Sequence, residues 1–211
     1  MITNLSQIIT DFLIRKKIIS EEQREIYIYG FELVICSIIS LVIVILIASI
    51  TGMYYECAIY YVVFSITRLF SGGFHADTYL RCKISYIGCL LITLGLFKMM
   101  NILQPLYWLM LFIFSSLIIF HFAPVENVNK PLSEKGKRRA KNITLTLIML
   151  WLVISVILYL IENSIYQMIP LTLLFVAVLM VFGKIKERRK LIIAVISPGG
   201  VQRARKIIAS L

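Results

Sequence analysis

The sequence predicts an all-α polytopic membrane protein with six transmembrane helices. Hydrophobic residues make up 60% of the 211 residues, whereas soluble domains carry about 45–50%. These residues occur in long runs, and a helix needs an apolar run of about 17–25 residues to cross a bilayer. Basic residues lie between the runs and give a net charge of +11. We therefore expect contact with anionic lipid head groups and no nucleic-acid partner.

Six apolar runs are the predicted spans. The second is the least apolar, because it is short, rich in tyrosine, and carries Glu56 and Arg68 near its ends. The connections at 51–52, 101–102 and 162–164 are so short that they predict antiparallel hairpins. The predicted spans are 31–50, 53–70, 84–100, 103–122, 143–161 and 165–182.

The positive charges predict the orientation of these spans. All lysines and arginines except Lys98 fall in four regions that six spans would place on one face of the membrane. Cytoplasmic loops carry the excess of Lys and Arg, so we expect this face, with both termini, to be the cytoplasmic face of the cell membrane. The regions are the N-terminal segment 1–30, the connection 68–83, the loop 123–142 and the basic tail 183–211. Residues 31–182 form the predicted membrane domain.

The N-terminal segment predicts an amphipathic helix. Its apolar side chains recur at helical spacing on one face, and the basic residues 15–17 follow them. Two interpretations stay open, a helix that lies in the cytoplasmic lipid interface and a helix packed on the underside of the bundle. The apolar residues of this face are Leu5, Ile8, Ile9, Phe12 and Leu13.

Residues that can carry chemistry are concentrated in the connection between the second and third spans, 68–83. It contains His75, Asp77, Cys82 and the pair Gly72-Gly73. A thiol reacts as its thiolate, which a neighbouring imidazole or a positive environment favours. Cys82 has a basic residue on either side and lies where the third span begins, so the positive end of a helix can point at it.

His75 and Cys82 can act together only if this connection folds back. Seven residues of straight helix rise about 10.5 Å, which is too far for a hydrogen bond of about 3 Å. A working pair requires a turn or a re-entrant segment, for which Gly72-Gly73 supplies flexible backbone. From the residues alone, several alternatives stay open: an inert thiol beside an interfacial histidine, a metal site of His75, Asp77 and Cys82, or a catalytic pair. Asp77 could orient His75 or pair with an arginine.

Two motifs resemble those of a known family. The run Arg68…Gly72-Gly73-Phe74-His75-Ala76…Cys82 resembles the first signature of the accessory gene regulator protein B (AgrB) family. The loop sequence Ala123-Pro124-Val125-Glu126-Asn127…Asn129-Lys130-Pro131 is similar to its second signature. The resemblance implies a membrane cysteine endopeptidase of quorum sensing. Such an enzyme cuts the C-terminal part from a small AgrD-like precursor peptide and enables cyclisation of the rest to a thiolactone or lactone, without a cofactor or metal.

The resemblance also implies roles for single residues. It makes His75 and Cys82 the catalytic pair, with the retained precursor fragment held on Cys82 as a thioester, and it maps the family's Arg and Gly onto Arg68 and Gly73. Arg68 would stabilise developing negative charge or hold a substrate carboxylate, with an ion pair to Asp77 as the alternative.

Other assignments stay open at this level. The basic loop that begins at Lys130 would hold an acidic precursor tail or only mark the cytoplasmic side. Cys36, Cys57 and Cys89 lie inside apolar runs, where packing explains them. The competing classes are a small polytopic transporter or peptide-export component, and a structural membrane subunit. The sequence leaves the oligomeric state open, including a homodimer.

Overall fold

The computed structural model describes residues 2–71, 79–99, 104–124 and 134–196. Within these ranges every regular element is helical, which confirms the predicted all-α class. The chain divides into two compact units, Met1–Tyr54 and Tyr55–Leu211. The helices are α1 Ile2–Arg15, α2 Arg24–Thr51, α3 Tyr54–Ser71, α4 Tyr79–Met99, α5 Pro105–Phe122, α6 Glu134–Leu160 and α7 Met168–Ile196.

The first unit is built from α1 and α2, which pack along each other. The chain turns between them and restarts at Ser20, whose backbone N–H donates to Oε1 of Gln23 over 3.3 Å. Arg24, the first residue of α2, forms an ion pair of 2.9 Å with Asp11 of α1. This pair and the turn fix the angle at which α2 begins. Gly52 ends α2 in the left-handed conformation, with φ of 72°, and its N–H donates to the carbonyl of Ala48.

In α1 small polar side chains are buried, whereas several side chains of the predicted apolar face are exposed. Its small polar side chains Ser6 and Thr10 are completely buried. Their hydroxyls donate to backbone carbonyls one turn earlier in the same helix, so burial leaves neither group unsatisfied. Leu5, Ile8 and Phe12, on the predicted apolar face, are about half exposed, at 47%, 61% and 52%. The part of the apolar face of α1 that these three side chains form is therefore exposed.

Among the described residues, five helical segments are long and apolar enough to cross a membrane, so the chain is a multi-pass membrane protein. They coincide with the first, third, fourth, fifth and sixth predicted spans. The second predicted span coincides with α3, which is not among the five. Tyrosines, Glu56 and Arg68 lower the mean hydropathy of α3, so composition alone supports five spans where the sequence predicts six. The five segments are Glu21–Thr51, Cys82–Met99, Pro105–Phe122, Glu134–Leu160 and Ser164–Lys186.

Several helices run further than the predicted spans. α6 begins at Glu134, so the second half of the predicted loop 123–142 is helical. Lys137 forms an ion pair of 3.1 Å with Glu134 one turn earlier, and such pairs support a helix outside an apolar environment. The ammonium of Lys141 lies 4.7 Å from the ring centre of Phe120 in α5. α7 likewise continues to Ile196, into the predicted tail.

The core of the second unit is formed around α7. Much more of its spanning segment is buried than of the other four, and it packs against α4, α5 and the 3-10 turn Ser164–Gln167. Asn163 caps this turn by accepting the N–H of Ile165 over 3.1 Å. Residues of α7 with almost no exposed surface are Met168, Ile169, Leu171, Leu173, Val176, Ala177 and Met180.

Three polar side chains of α3 are buried inside this unit. Tyr60, Thr67 and Ser71 have no exposed surface. The indole N–H of Trp151 in α6 donates to Oγ1 of Thr67 over 2.9 Å. The hydroxyl of Tyr60 donates over 3.2 Å to the backbone carbonyl of Tyr86 in α4. Hydrogen bonds to both α4 and α6 thus offset the cost of burying these groups.

Candidate active site

Cys82 lies in the first turn of α4, as the fourth residue of the helix. The first four backbone N–H groups of an α-helix have no partner within the helix, and together with the helix dipole they make its N-terminus electropositive. The thiol is partly exposed. A reactive cysteine needs an accessible sulfur in an electropositive environment, and this position provides both.

Arg68 meets Cys82 from the opposite helix end. It lies in the last turn of α3, where the negative end of the helix dipole stabilises a cation. Its guanidinium Nη2 is 4.0 Å from Sγ of Cys82 and points an N–H at the sulfur. The C-terminus of α3 and the N-terminus of α4 therefore bring a permanent positive charge to a thiol 14 residues further along the chain.

An aromatic platform of Tyr60, Phe64 and Tyr86 lies beneath Arg68. The guanidinium carbon of Arg68 is 5.5 Å from the ring centre of Phe64, a cation–π distance. Tyr60 stacks on Phe64 with ring centres 5.2 Å apart and an angle of 23° between the rings. Tyr86 meets Phe64 edge to face, at 5.1 Å and 74°. The three rings thus form one packed cluster that ends at the guanidinium.

Sequence analysis missed this platform, although a signal for it exists. Tyr60, Phe64 and Arg68 recur every four residues, and so do Cys82 and Tyr86. Residues four apart lie on one face of a helix, so each set forms a row. The spacing does not show that the two rows face each other, which depends on how α3 packs against α4.

The structure describes two of the predicted site residues, and the others lie outside the described ranges. It brings Arg68 and Cys82 together. His75, Gly73 and Asp77, with the predicted re-entrant segment, lie outside the described residues, and so does Lys130. Among the described residues no three His, Cys, Asp or Glu side chains come close enough to hold a metal ion. Of the other cysteines, Cys57 is completely buried, and Cys36 and Cys89 are partly exposed.

Comparison with known proteins decides the family. The family model for accessory gene regulator B matches residues 6–181. The chain belongs to the AgrB family. AgrB-like protein 2 of Clostridium perfringens strain 13 is 33% identical over 169 residues, which cover 75% of this chain and 79% of that protein. An AgrB-like protein of strain SM101 is 32% identical over the same shares of both chains. No solved structure matches the chain at a significant level.

AgrB membership supports a role in quorum sensing and in the peptide processing associated with it. It also agrees with the multi-pass helical fold. In this AgrB protein Arg68 and Cys82, the first and last residues of the first motif, lie in the last turn of α3 and the first turn of α4. The matched region contains all five spanning segments found among the described residues except the last part of Ser164–Lys186.

Proposed function

We propose that this AgrB protein is an integral-membrane cysteine endopeptidase with Cys82 as its nucleophile. The observation that carries the proposal is the contact between the Arg68 guanidinium and the Cys82 sulfur at a helix N-terminus. A thiol that only fills space gains nothing from a charge directed at it, whereas a thiolate nucleophile is stabilised by both the guanidinium and the helix end. The substrate is a small AgrD-like precursor peptide, as family membership implies.

The cleavage step needs a nucleophile and a proton carrier. The Cys82 thiolate attacks the carbonyl carbon of the scissile peptide bond, and Arg68 stabilises the negative charge that the carbonyl oxygen gains. His75 takes the thiol proton and gives it to the departing amine, so that the C–N bond breaks and a thioester to Cys82 remains. Gly73 allows close approach of the backbone to the substrate, and Asp77 orients His75.

The ring-closing step uses the energy kept in the thioester. A thiol or hydroxyl within the retained fragment loses its proton to His75 and attacks the thioester carbonyl. The bond to Cys82 breaks, and the product is a cyclic thiolactone or lactone. Water must be kept away from the thioester, because hydrolysis would give a free acid that cannot cyclise unaided. A site where α3 ends and α4 begins, at the edge of the membrane, would limit the access of water in this proposal.

The proposal includes six spans, with both termini in the cytoplasm. The 18 residues of α3 are about 27 Å long, close to the hydrocarbon thickness of about 30 Å. The low hydropathy of α3 does not prevent it from spanning, because its polar residues Tyr60, Thr67 and Ser71 are buried in protein and two of them are hydrogen-bonded to α4 and α6. Polar side chains within a membrane are tolerated on such an inward face.

Two basic regions contribute binding in this proposal. The outward apolar face of α1, with the basic residues 15–17 at its end, inserts into the cytoplasmic interface and binds anionic lipid head groups. The basic residues of the segment from Lys130 to Lys141 hold the acidic tail of the precursor.

The test is capture of the thioester. We incubate the protein in lipid vesicles with an AgrD-like precursor from the same organism whose ring-forming Cys or Ser is changed to Ala. Because the acyl group then has no internal acceptor, we expect the 24.3 kDa chain to gain the mass of the retained fragment. Hydroxylamine, which cleaves thioesters, should remove the added mass.

The variants assign the residues. Cys82→Ala and His75→Ala should abolish cleavage and adduct in protein that still inserts into the membrane. Cys36→Ala, Cys57→Ala and Cys89→Ala serve as matched controls and should retain both. Cleavage by the Cys82→Ala protein, or cleavage at the normal rate without any hydroxylamine-sensitive adduct after rapid quenching, would refute the covalent mechanism.

A further inference from the structure

We infer that Phe64, held by Tyr60 and Tyr86, positions the Arg68 guanidinium beside Cys82 and thereby sets the reactivity of the thiol. The inference rests on the proposed role of Cys82 as the nucleophile. Phe64 does not touch Cys82 in any described contact; it acts through Arg68 and is a positioning residue. The first reason is geometric, because Arg68 contacts the Phe64 ring on one side and the Cys82 sulfur on the other.

A stacked ring helps an arginine to keep one position. Its long side chain loses considerable rotamer entropy when it is fixed, and an N–H to sulfur contact at 4.0 Å is by itself a weak restraint. The planar guanidinium is weakly hydrated and stacks on aromatic faces, which a lysine ammonium does less well. In an α-helix long side chains lean toward the N-terminus, so Arg68 leans over the residue four positions earlier, which is Phe64.

The Phe64 ring itself is held in place. Only 3% of its surface is exposed, and Tyr60 stacks on it while Tyr86 closes its edge. Tyr60 also donates its hydroxyl to the backbone carbonyl of Tyr86, and the two rings lie 5.5 Å apart. Tyr86 follows Cys82 by one helical turn. The contacts that hold the ring therefore also fix the helix that carries Arg68 against the helix that carries Cys82.

A third helix braces the same turn of α3. The buried Trp151 of α6 donates its indole N–H to Thr67, the residue next to Arg68. This bond restrains the rotation of α3 about its axis at the point where the direction of Arg68 is decided. The platform and this bond together leave the guanidinium little freedom to turn away from the sulfur.

The alternative is that the three rings only fill the core. The energetic coupling between Phe64 and Arg68 distinguishes this alternative from a positioning role of Phe64. If Phe64 acts through Arg68, loss of the ring has no further effect once the guanidinium is gone. If Phe64 only fills space, its loss has the same effect in both backgrounds. A double-mutant cycle measures this difference directly.

The experiment measures alkylation of Cys82 by iodoacetamide at neutral pH, with the full-length protein in lipid vesicles and each of the four cysteines followed by mass spectrometry. The variants are Phe64→Leu, Phe64→Tyr, Arg68→Ala and the double variant Phe64→Leu/Arg68→Ala. The matched control is Phe97→Leu, which removes an equally buried ring, 6% exposed, from the far end of α4. Alkylation of Cys57, which is completely buried in α3, reports on general loss of structure.

We expect Phe64→Leu to slow alkylation of Cys82 by about 2–30-fold, the range that a cation–π contact supports. Phe64→Tyr, which keeps the ring, should restore the rate, and Phe97→Leu should leave it within about 2-fold. The double variant should be no slower than Arg68→Ala. Any of three results would overturn the inference. The Phe64→Leu protein could react at the wild-type rate, loss of the ring could slow the wild-type and the Arg68→Ala proteins equally, or Phe64→Tyr could fail to restore the rate. Cleavage by Cys82→Ala would instead remove the proposed function, so the two failures are distinguishable.

Discussion

Replacement of Arg68 gives the sharpest test of the electrostatics at Cys82. At the observed 4.0 Å, a unit positive charge stabilises a thiolate by about 1 kcal/mol in water and by about 4 kcal/mol at an effective dielectric constant of about 20. Both groups are partly exposed, so the effect should fall between these limits. With about 1.36 kcal/mol for each factor of ten, we expect Arg68→Ala to slow formation of the thioester adduct by about 10–100-fold.

The assay is the rate of adduct formation after rapid mixing with the ring-blocked precursor. Arg68→Lys should recover only part of the rate, because an ammonium keeps the charge but not the planar group that stacks on Phe64. The control is Arg24→Ala, which removes a guanidinium from a partly exposed pair with Asp11 in the first unit. Such pairs contribute about 0–1 kcal/mol, and this one is not part of the site. Adduct formation by Arg68→Ala at the wild-type rate, with normal insertion, would refute the electrostatic argument.

Three further predictions concern stability and membrane placement. Trp151→Phe should lower the free energy of unfolding by about 1–3 kcal/mol in a detergent melt, because it breaks a buried hydrogen bond to α3. Trp108→Phe is the control, since the buried indole N–H of Trp108 has no partner among the described residues. Asn163→Cys, in a cysteine-free protein, should react with an impermeant maleimide from outside the cell; labelling only from the cytoplasm would contradict the proposed orientation. Ile8→Cys should resist a water-soluble maleimide in anionic vesicles and react after SDS, whereas Glu22→Cys reacts in both; equal labelling would place the α1 face in water.

Hydropathy predicted most of the helices because crossing a bilayer is largely a question of composition and length. Five predicted spans coincide with segments that meet both criteria. The same property could not show which of them is central. In lipid, the surroundings are as apolar as a protein core, so an apolar surface does not distinguish a lipid-facing helix from a buried one. The segment that α7 carries is the most buried of the five found among the described residues, yet its mean hydropathy lies between those of the α2 and α5 segments, which are much less buried.

The candidate site was predictable only in its ingredients. The residue types and the start of a helix near Cys82 follow from the sequence. The sequence also predicts that the connection folds back, because seven residues of straight helix would keep His75 too far from Cys82; this stays a prediction. Which groups meet Cys82 depends on the packing of α3 against α4, and sequence spacing within each helix carries no information on that. The contact with Arg68 and the support from Phe64 therefore came from the structure.

The low hydropathy of α3 and its place in the site have the same origin. Polar and charged residues such as Tyr60, Thr67 and Arg68 make α3 costly to place in a membrane, and such residues persist where partners and a function require them. Each of these residues has a described partner in the second unit: Arg68 meets Cys82, Tyr60 meets Tyr86, and Thr67 meets Trp151. A more apolar α3 would be a better membrane helix, but it would lose both the charge at the thiol and the bonds that aim it. In the proposed mechanism, the helix that fits the membrane pattern least thus supplies the positive charge beside the nucleophile.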